Sequence, residues 1–226
     1  MVDGLLVGGI VPLSTVDYPD HLSVVVFLQG CPWRCLYCHN KHLQNRVPTA
    51  SFPWEEVLSL LELRKGLIEG VVFSGGEPLL QDSLRNAMMD VREMGFKVGL
   101  HTAGAFPANL AKVVSRVDWV GFDLKHSFKE YRSITGVSDS GKMAYESLKM
   151  LVSSNVEFEA RMTLHEAIEI HSILDVLKEV SSMGVKNIVL QKCRNQDKSI
   201  MEHPIFSDKP LLEDISKYFD DFCIRG

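Results

Sequence analysis

Three of the five cysteines lie close together in one short segment, where they could bind a metal cluster. They are Cys31, Cys35 and Cys38, with the spacing Cys-x3-Cys-x2-Cys. Thiolates on a single loop can ligate three irons of a [4Fe-4S] cubane, which leaves the fourth iron without a protein ligand. An odd number of cysteines, grouped in this way, also favours a metal or redox site in a reducing compartment over a disulfide framework.

The same residues are compatible with three other kinds of site. A structural zinc site needs a fourth ligand, which His39, His42 or the distant Cys193 could supply. The segment Cys35-Leu-Tyr-Cys-His39 also matches the attachment pattern of c-type haem, although this reading gives the first cysteine no role. A thioredoxin-like redox pair needs only two cysteines at the start of a helix. The cysteines alone leave these alternatives open.

A second group of candidate residues ends an apolar run further along the chain. The segment 71–78 reads Val-Val-Phe-Ser-Gly-Gly-Glu-Pro. The glycines Gly75 and Gly76 would let the backbone approach a ligand closely, and the carboxylate of Glu77 could accept hydrogen bonds from an ammonium group. Taken alone, Gly-Gly-Glu-Pro is also a common turn sequence.

An alternation of strands and helices must position these segments. Six short apolar runs predict strands at residues 23–28, 70–73, 97–100, 119–122, 156–160 and 187–190. Apolar residues that share one helical face predict helices within residues 54–63, 84–94, 143–151, 170–180 and 211–222. This pattern predicts an α/β fold, a partial (βα)6 TIM-like barrel with parallel strands. In the fifth strand, Glu157 and Glu159 alternate with apolar residues, which predicts a sheet edge or a barrel rim.

Polar side chains follow the predicted strands where each strand ends. In chain order they are Cys31, Glu77, Thr102, Asp123, Lys125, Arg161 and Gln191. The carboxyl ends of the strands form the active face of a βα barrel. These side chains are therefore expected to gather at one mouth.

Composition and charge bound the class of protein. The chain is 46% hydrophobic and 23% charged, which is typical of a globular protein. Residues 1–226 are predicted to form a single domain with a short N-terminal extension over about residues 1–21. A formal charge of -5 and the absence of a long Lys/Arg run argue against nucleic-acid binding. The sequence has neither a long apolar run nor a signal-peptide pattern, which predicts a cytoplasmic protein without membrane contact.

The cysteine spacing, with Tyr37 directly before the third cysteine, resembles the signature of the radical S-adenosylmethionine (SAM) superfamily. The segment 75–77 is similar to that family's Gly-Gly-Glu motif, where the backbone and the carboxylate receive the ammonium of SAM. The resemblance covers nearly the whole chain. It implies one [4Fe-4S] cluster at Cys31, Cys35 and Cys38, whose open iron binds SAM and splits it reductively. Tyr37 is then expected to belong to the cofactor site.

A narrower resemblance concerns residues 9–19, 26–31 and 35–40, which look like the activating proteins of glycyl-radical enzymes. They are most similar to the activating proteins of anaerobic ribonucleoside-triphosphate reductases. The resemblance implies hydrogen abstraction from a glycine of a partner glycyl-radical enzyme, with a flavodoxin or ferredoxin as electron donor. The interval between the cysteine loop and the second strand contains no cysteine, so one cluster is predicted instead of several.

Further residues of this resemblance end the third, fourth and fifth predicted strands. The segment Asp123-Leu-Lys125 resembles the Asp-x-Lys of pyruvate formate-lyase activating enzymes, in which the acid contacts the ribose and the lysine contacts the methionine carboxylate. Thr102 and Arg161 lie where those enzymes also contact the cofactor. The chain departs from the family at residues 101–104, where His-Thr-Ala-Gly replaces Asp-Thr-Asn-Gly. This departure leaves the core chemistry intact and leaves the identity of the partner open.

Two further functions are compatible with the sequence. The first is a radical SAM enzyme that acts on a small molecule, as the similarly compact deazapurine-forming enzymes do. The second belongs to another class and is a non-catalytic module, either an iron–sulfur electron carrier or a structural zinc fold. Such a module would have no use for the Gly-Gly-Glu segment at residues 75–77.

Overall fold

The computed structural model describes residues 4–47, 52–195, 197 and 199–226. Within these residues, eight strands form one sheet, and neighbours along the chain are also neighbours in the sheet. The strands are β1 (Val7–Ser14), β2 (Ser23–Leu28), β3 (Gly70–Gly75), β4 (Lys97–Thr102), β5 (Trp119–Leu124), β6 (Glu157–Leu164), β7 (Asn187–Lys192) and β8 (Asp221–Arg225). β1 is antiparallel to β2, and each later strand is parallel to the one before it. β1 and β8 therefore form the two margins of the sheet.

Helices connect the parallel strands and cover the outer face of the sheet. They are α1 (Trp54–Glu62), α2 (Leu84–Glu93), α3 (Pro107–Val113), α4 (Tyr131–Thr135), α5 (Ser140–Val152), α6 (Ile170–Met183) and α7 (Lys209–Ser216). Parallel neighbours need such crossover connections, and the predicted α/β architecture is confirmed. In the described part of the chain, every helix lacks either the length or the apolar character needed to cross a membrane.

The sheet is apolar on both faces in its first half. The outer face packs beneath the helices and includes Val24, Val26, Leu28, Val71 and Phe73. A smaller inner cluster consists of Tyr18, Val25, Val72 and Trp119, with Phe27 packed against it. Because successive side chains of a strand point to opposite faces, a continuous apolar run can supply both clusters. This explains why β2 and β3 are apolar without interruption.

Tyr18, from the connection between β1 and β2, completes the inner cluster. Its side chain is 4% exposed, and its ring stacks on Trp119 with 5.5 Å between the ring centroids. A Cβ atom added to Gly70 would lie 3.0 Å from this ring, and one added to Gly99 would lie 3.3 Å from it. These two strand positions therefore leave the room that the ring occupies. The predicted N-terminal extension thus contributes to the interior of the barrel.

The prediction that the fifth strand lies at an edge of the sheet is wrong, whereas a position at the barrel rim is not contradicted, because Glu157 at the start of the strand is exposed. That strand is β6, which pairs with β5 on one side and with β7 on the other. Glu159 is only 6% exposed, and its two carboxylate oxygens accept hydrogen bonds from Arg225 at 2.6 and 2.9 Å. The alternation in the sequence therefore has two sources, because Glu157 is exposed whereas the buried carboxylate of Glu159 is paired with a guanidinium inside the barrel.

β1 was not predicted as a strand. It contains Gly8, Gly9 and Pro12, and both residue types are depleted in strands. Proline is tolerated mainly at the edge of a sheet, which is where β1 lies. Pairing with β2 therefore determines the strand conformation of β1 despite its low local propensity. The pairing includes two irregularities in register.

The predicted helix over residues 211–222 is wrong in its second half. α7 ends at Ser216, and residues 221–225 form β8 beside β7. The backbone amides of Asp220 and Asp221 both donate to the carbonyl oxygen of Lys186, at 2.9 and 3.2 Å. Acidic residues are unfavourable at the carboxyl end of a helix, and these bonds instead align the chain with the neighbouring strand.

Candidate functional site

A cavity of about 330 Å³ lies at the carboxyl ends of the strands and brings the predicted site residues together. Its wall includes all of them, namely Cys31, Cys35, Tyr37, Cys38, Gly75, Gly76, Glu77, Thr102, Asp123, Lys125 and Arg161. Further lining residues, which the sequence did not single out for the site, include Asp17, Phe27 and Thr163. The position agrees with the active face of βα barrels. The individual roles of the residues stay predictions.

The two ends of the cysteine loop are held together by Gln29, the last residue before Gly30. The side-chain amide of Gln29 donates to the carbonyl oxygen of His42 at 3.0 Å and to that of Asn45 at 2.6 Å. The backbone amide of Cys31 donates to the carbonyl oxygen of Gln44 at 3.1 Å. The loop therefore has a defined shape before any cofactor contact is considered.

The middle of the cysteine loop crosses the barrel mouth towards β5 and β6. The backbone amide of Arg34 donates to the carbonyl oxygen of Thr135 at 2.9 Å, and the Tyr37 hydroxyl donates to the carbonyl oxygen of Lys125 at 3.4 Å. The ring of Tyr37 stacks on His165 with 5.6 Å between centroids. His165 was not predicted as a site residue, because nothing in its local sequence indicates this contact.

The three thiols are partly buried at the cavity wall. Burial raises the pKa of Cys31 to about 12, although a hydrogen bond from the backbone amide of Trp33 opposes the shift. Burial also raises the pKa of Cys35. A metal that binds to such a thiol displaces its proton, so that the ligand is the thiolate. Among the described residues no fourth cysteine lines this cavity, since Cys193 lines a neighbouring one. Three thiols on one wall fit a cubane with three protein ligands, and His39, the candidate fourth ligand of a zinc site, lines the same cavity.

Gly75 and Gly76 bring the turn after β3 against the cysteine loop. Gly75 has a φ of +120°, which residues with a side chain rarely adopt. A Cβ atom on Gly75 would collide with the backbone of Leu28, and one on Gly76 with the carbonyl oxygen of Gly30. The same Gly30 carbonyl accepts a 2.8 Å hydrogen bond from the amide of Glu77. Both positions thus require glycine because the turn packs directly against the backbone of the cysteine loop and of β2. The predicted approach of a ligand is a second possible reason.

The carboxylate of Glu77 links this turn to the end of β4. It is 2% exposed and accepts hydrogen bonds from the Thr102 hydroxyl at 2.7 Å and from the amides of Leu79 and Ala103 at 3.1 and 2.9 Å. Burial raises its pKa, and these hydrogen bonds oppose that shift. Protein donors therefore already occupy both carboxylate oxygens. The contact of Glu77 with a ligand ammonium stays a prediction.

Asp123 lies between two cations on the inner wall of the cavity. Its carboxylate oxygens are 3.1 Å from the Nζ of Lys125 and 3.1 Å from an Nη of Arg161. Burial alone would raise the pKa of Asp123, but the two positive charges outweigh it and hold the pKa at about 2. Burial would likewise lower the pKa of Lys125, but Asp123 raises it overall. Two cations against one carboxylate leave an excess of positive charge that suits an anionic ligand group.

Arg161 reaches Asp123 because Gly121 has no side chain. A Cβ atom at Gly121 would lie 2.5 Å from the Cζ of Arg161. The guanidinium also lies 6.0 Å from the ring centroid of Trp119 and 3.1 Å from the Nε2 of His101. Burial lowers the pKa of His101 to about 3, and the charge of Arg161 adds to this shift. The imidazole is therefore neutral and contributes no charge to the site.

The acid stability of the protein is expected to depend on Asp123. Its pKa falls from 3.8 to about 2 on folding, so the unfolded chain binds more protons between these values. The resulting stabilisation is fully present above about pH 4 and is lost as the pH falls through about 2. In urea titrations over this range, Asp123→Asn should show a shallower dependence of the free energy of unfolding on pH than the wild type. The exposed Asp175→Asn is the matched control, and equal slopes for all three proteins would contradict the assignment.

Known proteins share sequence patterns with the chain. The sequence profile described as the Radical SAM superfamily matches residues 25–190. A Methanocaldococcus jannaschii protein named as a glycyl-radical enzyme activating enzyme is 29% identical over 235 residues, which cover 97% of this chain and 95% of the relative. The pyruvate formate-lyase-activating enzyme of Clostridium pasteurianum is 36% identical over 135 residues, which cover 57% of this chain and 56% of that enzyme.

A solved structure shares the fold. SuiB of Streptococcus suis, bound to the precursor peptide SuiA, has a TM-score of 0.71 and covers 89% of this chain. The matched part is 48% of the SuiB chain, so the protein described here spans about half the length of SuiB. At 14% sequence identity, this similarity concerns the fold alone.

Proposed function

The chain belongs to the radical SAM superfamily of enzymes, and from this we propose that it activates a glycyl-radical enzyme. The observation that carries the proposal is the single cavity that unites three thiols with the group formed by Asp123, Lys125 and Arg161. Similarity to a named activating enzyme over nearly the full length of both chains supports it. The match to a pyruvate formate-lyase-activating enzyme over a shorter region supports it further.

The proposed cofactors are one [4Fe-4S] cluster, bound by Cys31, Cys35 and Cys38, and SAM at the fourth iron. When both are bound, they would supply the one-electron reductive cleavage of SAM and, through it, the removal of a hydrogen atom from a glycine α-carbon of the partner. The chain contributes orientation and exclusion of water. Trp33 and Tyr37, which are 2% and 9% exposed, are placed to provide that exclusion.

The ionic group on the inner wall is proposed to orient SAM. Lys125 and Arg161 supply the positive charge that would receive the methionine carboxylate. Asp123 stays ionised throughout the physiological range and can accept hydrogen bonds from ribose hydroxyls while it holds both cations in place. Gly75 and Gly76 would present backbone groups to the ammonium. Glu77 and Thr102 would keep that turn in position through their mutual hydrogen bond.

The proposed partner is an anaerobic ribonucleoside-triphosphate reductase, with a flavodoxin or a ferredoxin as the electron donor. The N-terminal segment and the residues around the cysteines support this choice through their resemblance to the activating proteins of such reductases. A glycine is a suitable target because it has no side chain that blocks the α-carbon. The radical that forms there is also delocalised over the adjacent amide groups.

An anaerobic assay with both kinds of partner tests the proposal. The protein is reconstituted with iron and sulfide and supplied with SAM and a low-potential reductant, and 5'-deoxyadenosine is quantified. Ribonucleotide reductase or pyruvate formate-lyase is then added, and the glycyl radical is measured by electron paramagnetic resonance. We expect 5'-deoxyadenosine and a radical in the reductase, and no radical in a reductase variant whose radical-bearing glycine is replaced by alanine.

Other outcomes of this assay separate the alternatives. A radical only in pyruvate formate-lyase would retain the activating function and correct the partner. SAM cleavage without a radical in either protein would favour a small-molecule substrate. A protein with a complete cluster that does not cleave SAM would contradict the proposed function.

A further inference from the structure

A second groove adjoins the cavity of the site. It has a volume of about 640 Å³ and lies between the cysteine loop and the loops that follow β6 and β7. Residues 37–40 line both the groove and the cavity, and the partly buried Cys38 is one of them. A molecule in the groove would therefore lie beside one of the three predicted cluster ligands without entering the cavity.

The lining of this groove carries an excess of positive charge. Within the described residues it contains Lys41, Arg194 and three histidines, and it contains no acidic residue. Both cations are exposed, and neither forms an ion pair with a carboxylate in the described part of the chain. Glu166 and Asp197 lie close to lining residues along the chain but do not belong to the lining. The positive charge of the groove is therefore available to a partner.

The sequence of the cysteine loop contributes to this charge. Residues 21–54 contain no Asp or Glu, although the formal charge of the whole chain is -5. Arg34, one of the cations in this stretch, lies between the first and second cysteines. Its exposed guanidinium donates hydrogen bonds to the carbonyl oxygens of Cys31 and Trp33, at 2.7 and 2.9 Å, which hold it beside the loop. The loop that carries the predicted cluster ligands is therefore a positive region of an acidic protein.

An exposed apolar side chain belongs to the same surface. Leu36, between the second and third cysteines, lines the groove and is 56% exposed. Its backbone amide donates to the carbonyl oxygen of Ile134 at 3.1 Å, which holds this part of the loop in place. The partly buried Met201 also lines the groove. An apolar centre with a polar rim is typical of a protein–protein interface.

We propose that the cysteine-loop face, defined as Arg34, Leu36, Lys41 and Arg194, is the docking surface for an acidic one-electron carrier protein. This inference rests on the proposed function, which requires one electron at the cluster. The electron passes from the reduced carrier to the cluster, so the carrier is oxidised, the cluster is reduced, and no bond forms or breaks. Opposite charges on the two surfaces accelerate association and select the partner. A small contact area suffices, since electron-transfer complexes are transient.

The distance that each reaction tolerates favours this occupant over the glycyl-radical partner. Hydrogen abstraction needs the reacting atoms about 3–3.5 Å apart, so the target glycine has to enter the cavity itself. An electron can cross a thin layer of protein without such contact. The groove borders the cavity only through the shared residues 37–40. It is therefore better placed for an electron carrier than for the target glycine.

Charge reversal on the cysteine-loop face tests this docking. The double variant Lys41→Glu/Arg194→Glu is compared with Lys149→Glu/Lys178→Glu, which changes the net charge equally at exposed lysines of α5 and α6. The binding of a flavodoxin and of a ferredoxin, each of strongly negative net charge, to the reconstituted proteins is measured by calorimetry. We expect the first variant to raise the Kd of a carrier at least about tenfold, because like charges then meet. The control should bind as the wild type does, and added salt should reduce the difference.

The rate of cluster reduction gives a second readout. Each protein is mixed either with the reduced carrier or with photoreduced 5-deazariboflavin, a small uncharged reductant. We expect slower reduction by the carrier in Lys41→Glu/Arg194→Glu and an unchanged rate with 5-deazariboflavin, which shows that the cluster itself is intact. In the wild type, a carbodiimide should also link the amine of Lys41 to a carboxylate of the carrier.

Equal affinities of the wild type and Lys41→Glu/Arg194→Glu for the carriers would overturn the inference, as would wild-type protein that binds neither carrier. If the variant fails to fold, the cross-links in the wild type decide, and cross-links confined to other lysines overturn it. Weakened binding of the glycyl-radical partner alone would assign the groove to that partner instead. Wild-type protein that binds a carrier on this face but does not cleave SAM would contradict the proposed function alone.

Discussion

Replacement of Cys35 by alanine is expected to abolish the reductive cleavage of SAM. Cys35 is one of three thiols on the wall of the cavity, and its removal leaves two ligands for the cluster. Changes that only perturb residues behind the ligands already cost about 10- to 100-fold in metal affinity or activity. We therefore expect a loss greater than roughly 100-fold, measured as 5'-deoxyadenosine formed per protein after anaerobic reconstitution.

Cys223→Ala is the matched control for this experiment. Cys223 lies on β8 outside the lining of the cavity, and its thiol donates only to the carbonyl oxygen of Ile224, at 3.7 Å. We expect this variant to bind iron and to form 5'-deoxyadenosine as the wild type does. Wild-type activity in Cys35→Ala, with iron and sulfide bound in full, would show that Cys35 is not a cluster ligand.

Tyr18→Ala is expected to lower the free energy of unfolding by about 3–5 kcal/mol, the range for truncation of large buried aromatic residues. The ring is 4% exposed and stacks on Trp119, with the strand positions Gly70 and Gly99 beneath it. Loss of the ring leaves a cavity inside the barrel that glycine residues cannot fill. Denaturant titration under reducing conditions, without cofactor, measures the effect.

Tyr218→Ala removes a tyrosine ring from the surface and serves as the control, since Tyr218 is 44% exposed. Its free energy of unfolding should stay within about 0.5 kcal/mol of the wild type. A loss below about 1 kcal/mol in Tyr18→Ala would contradict the packing described here. The carbonyl oxygen of the preceding Asp17 lies 2.8 Å from the Nε2 of His101, so the same truncation should also loosen the wall of the site.

The composition of the site follows closely from the order of residues in the sequence. In a parallel barrel the residues at the carboxyl ends of the strands lie at the same mouth. The positions of the strand ends in the sequence therefore suffice to predict that Thr102, Asp123 and Arg161 lie close together. Asp17 and His165 escape this reasoning. They lie in the connection before β2 and in the loop after β6. Only the folded path of the chain brings Asp17 to the cavity and stacks His165 on Tyr37.

The errors in the predicted fold have a common physical cause. A period of two in polarity shows that a strand has one polar side, but it does not distinguish solvent from a polar layer inside a barrel. The strand that carries Glu159 was therefore predicted at a sheet edge or a barrel rim, although Glu159 is paired with Arg225 in the interior. In the same way, the apolar spacing in residues 211–222 does not reveal that the chain pairs with β7 from Asp221 onwards.

The sheet does not close on itself, so the circumference of the barrel is not fixed by hydrogen bonds between its first and last strands. A closed barrel has a diameter set by its number of strands and their stagger, because every strand is hydrogen-bonded on both sides. Here the order runs from β1 to β8, and among the described residues these two margins are not paired with each other. The circumference can therefore widen or narrow while every existing strand pair stays intact. The width of the mouth is accordingly less constrained than in a closed barrel with the same number of strands.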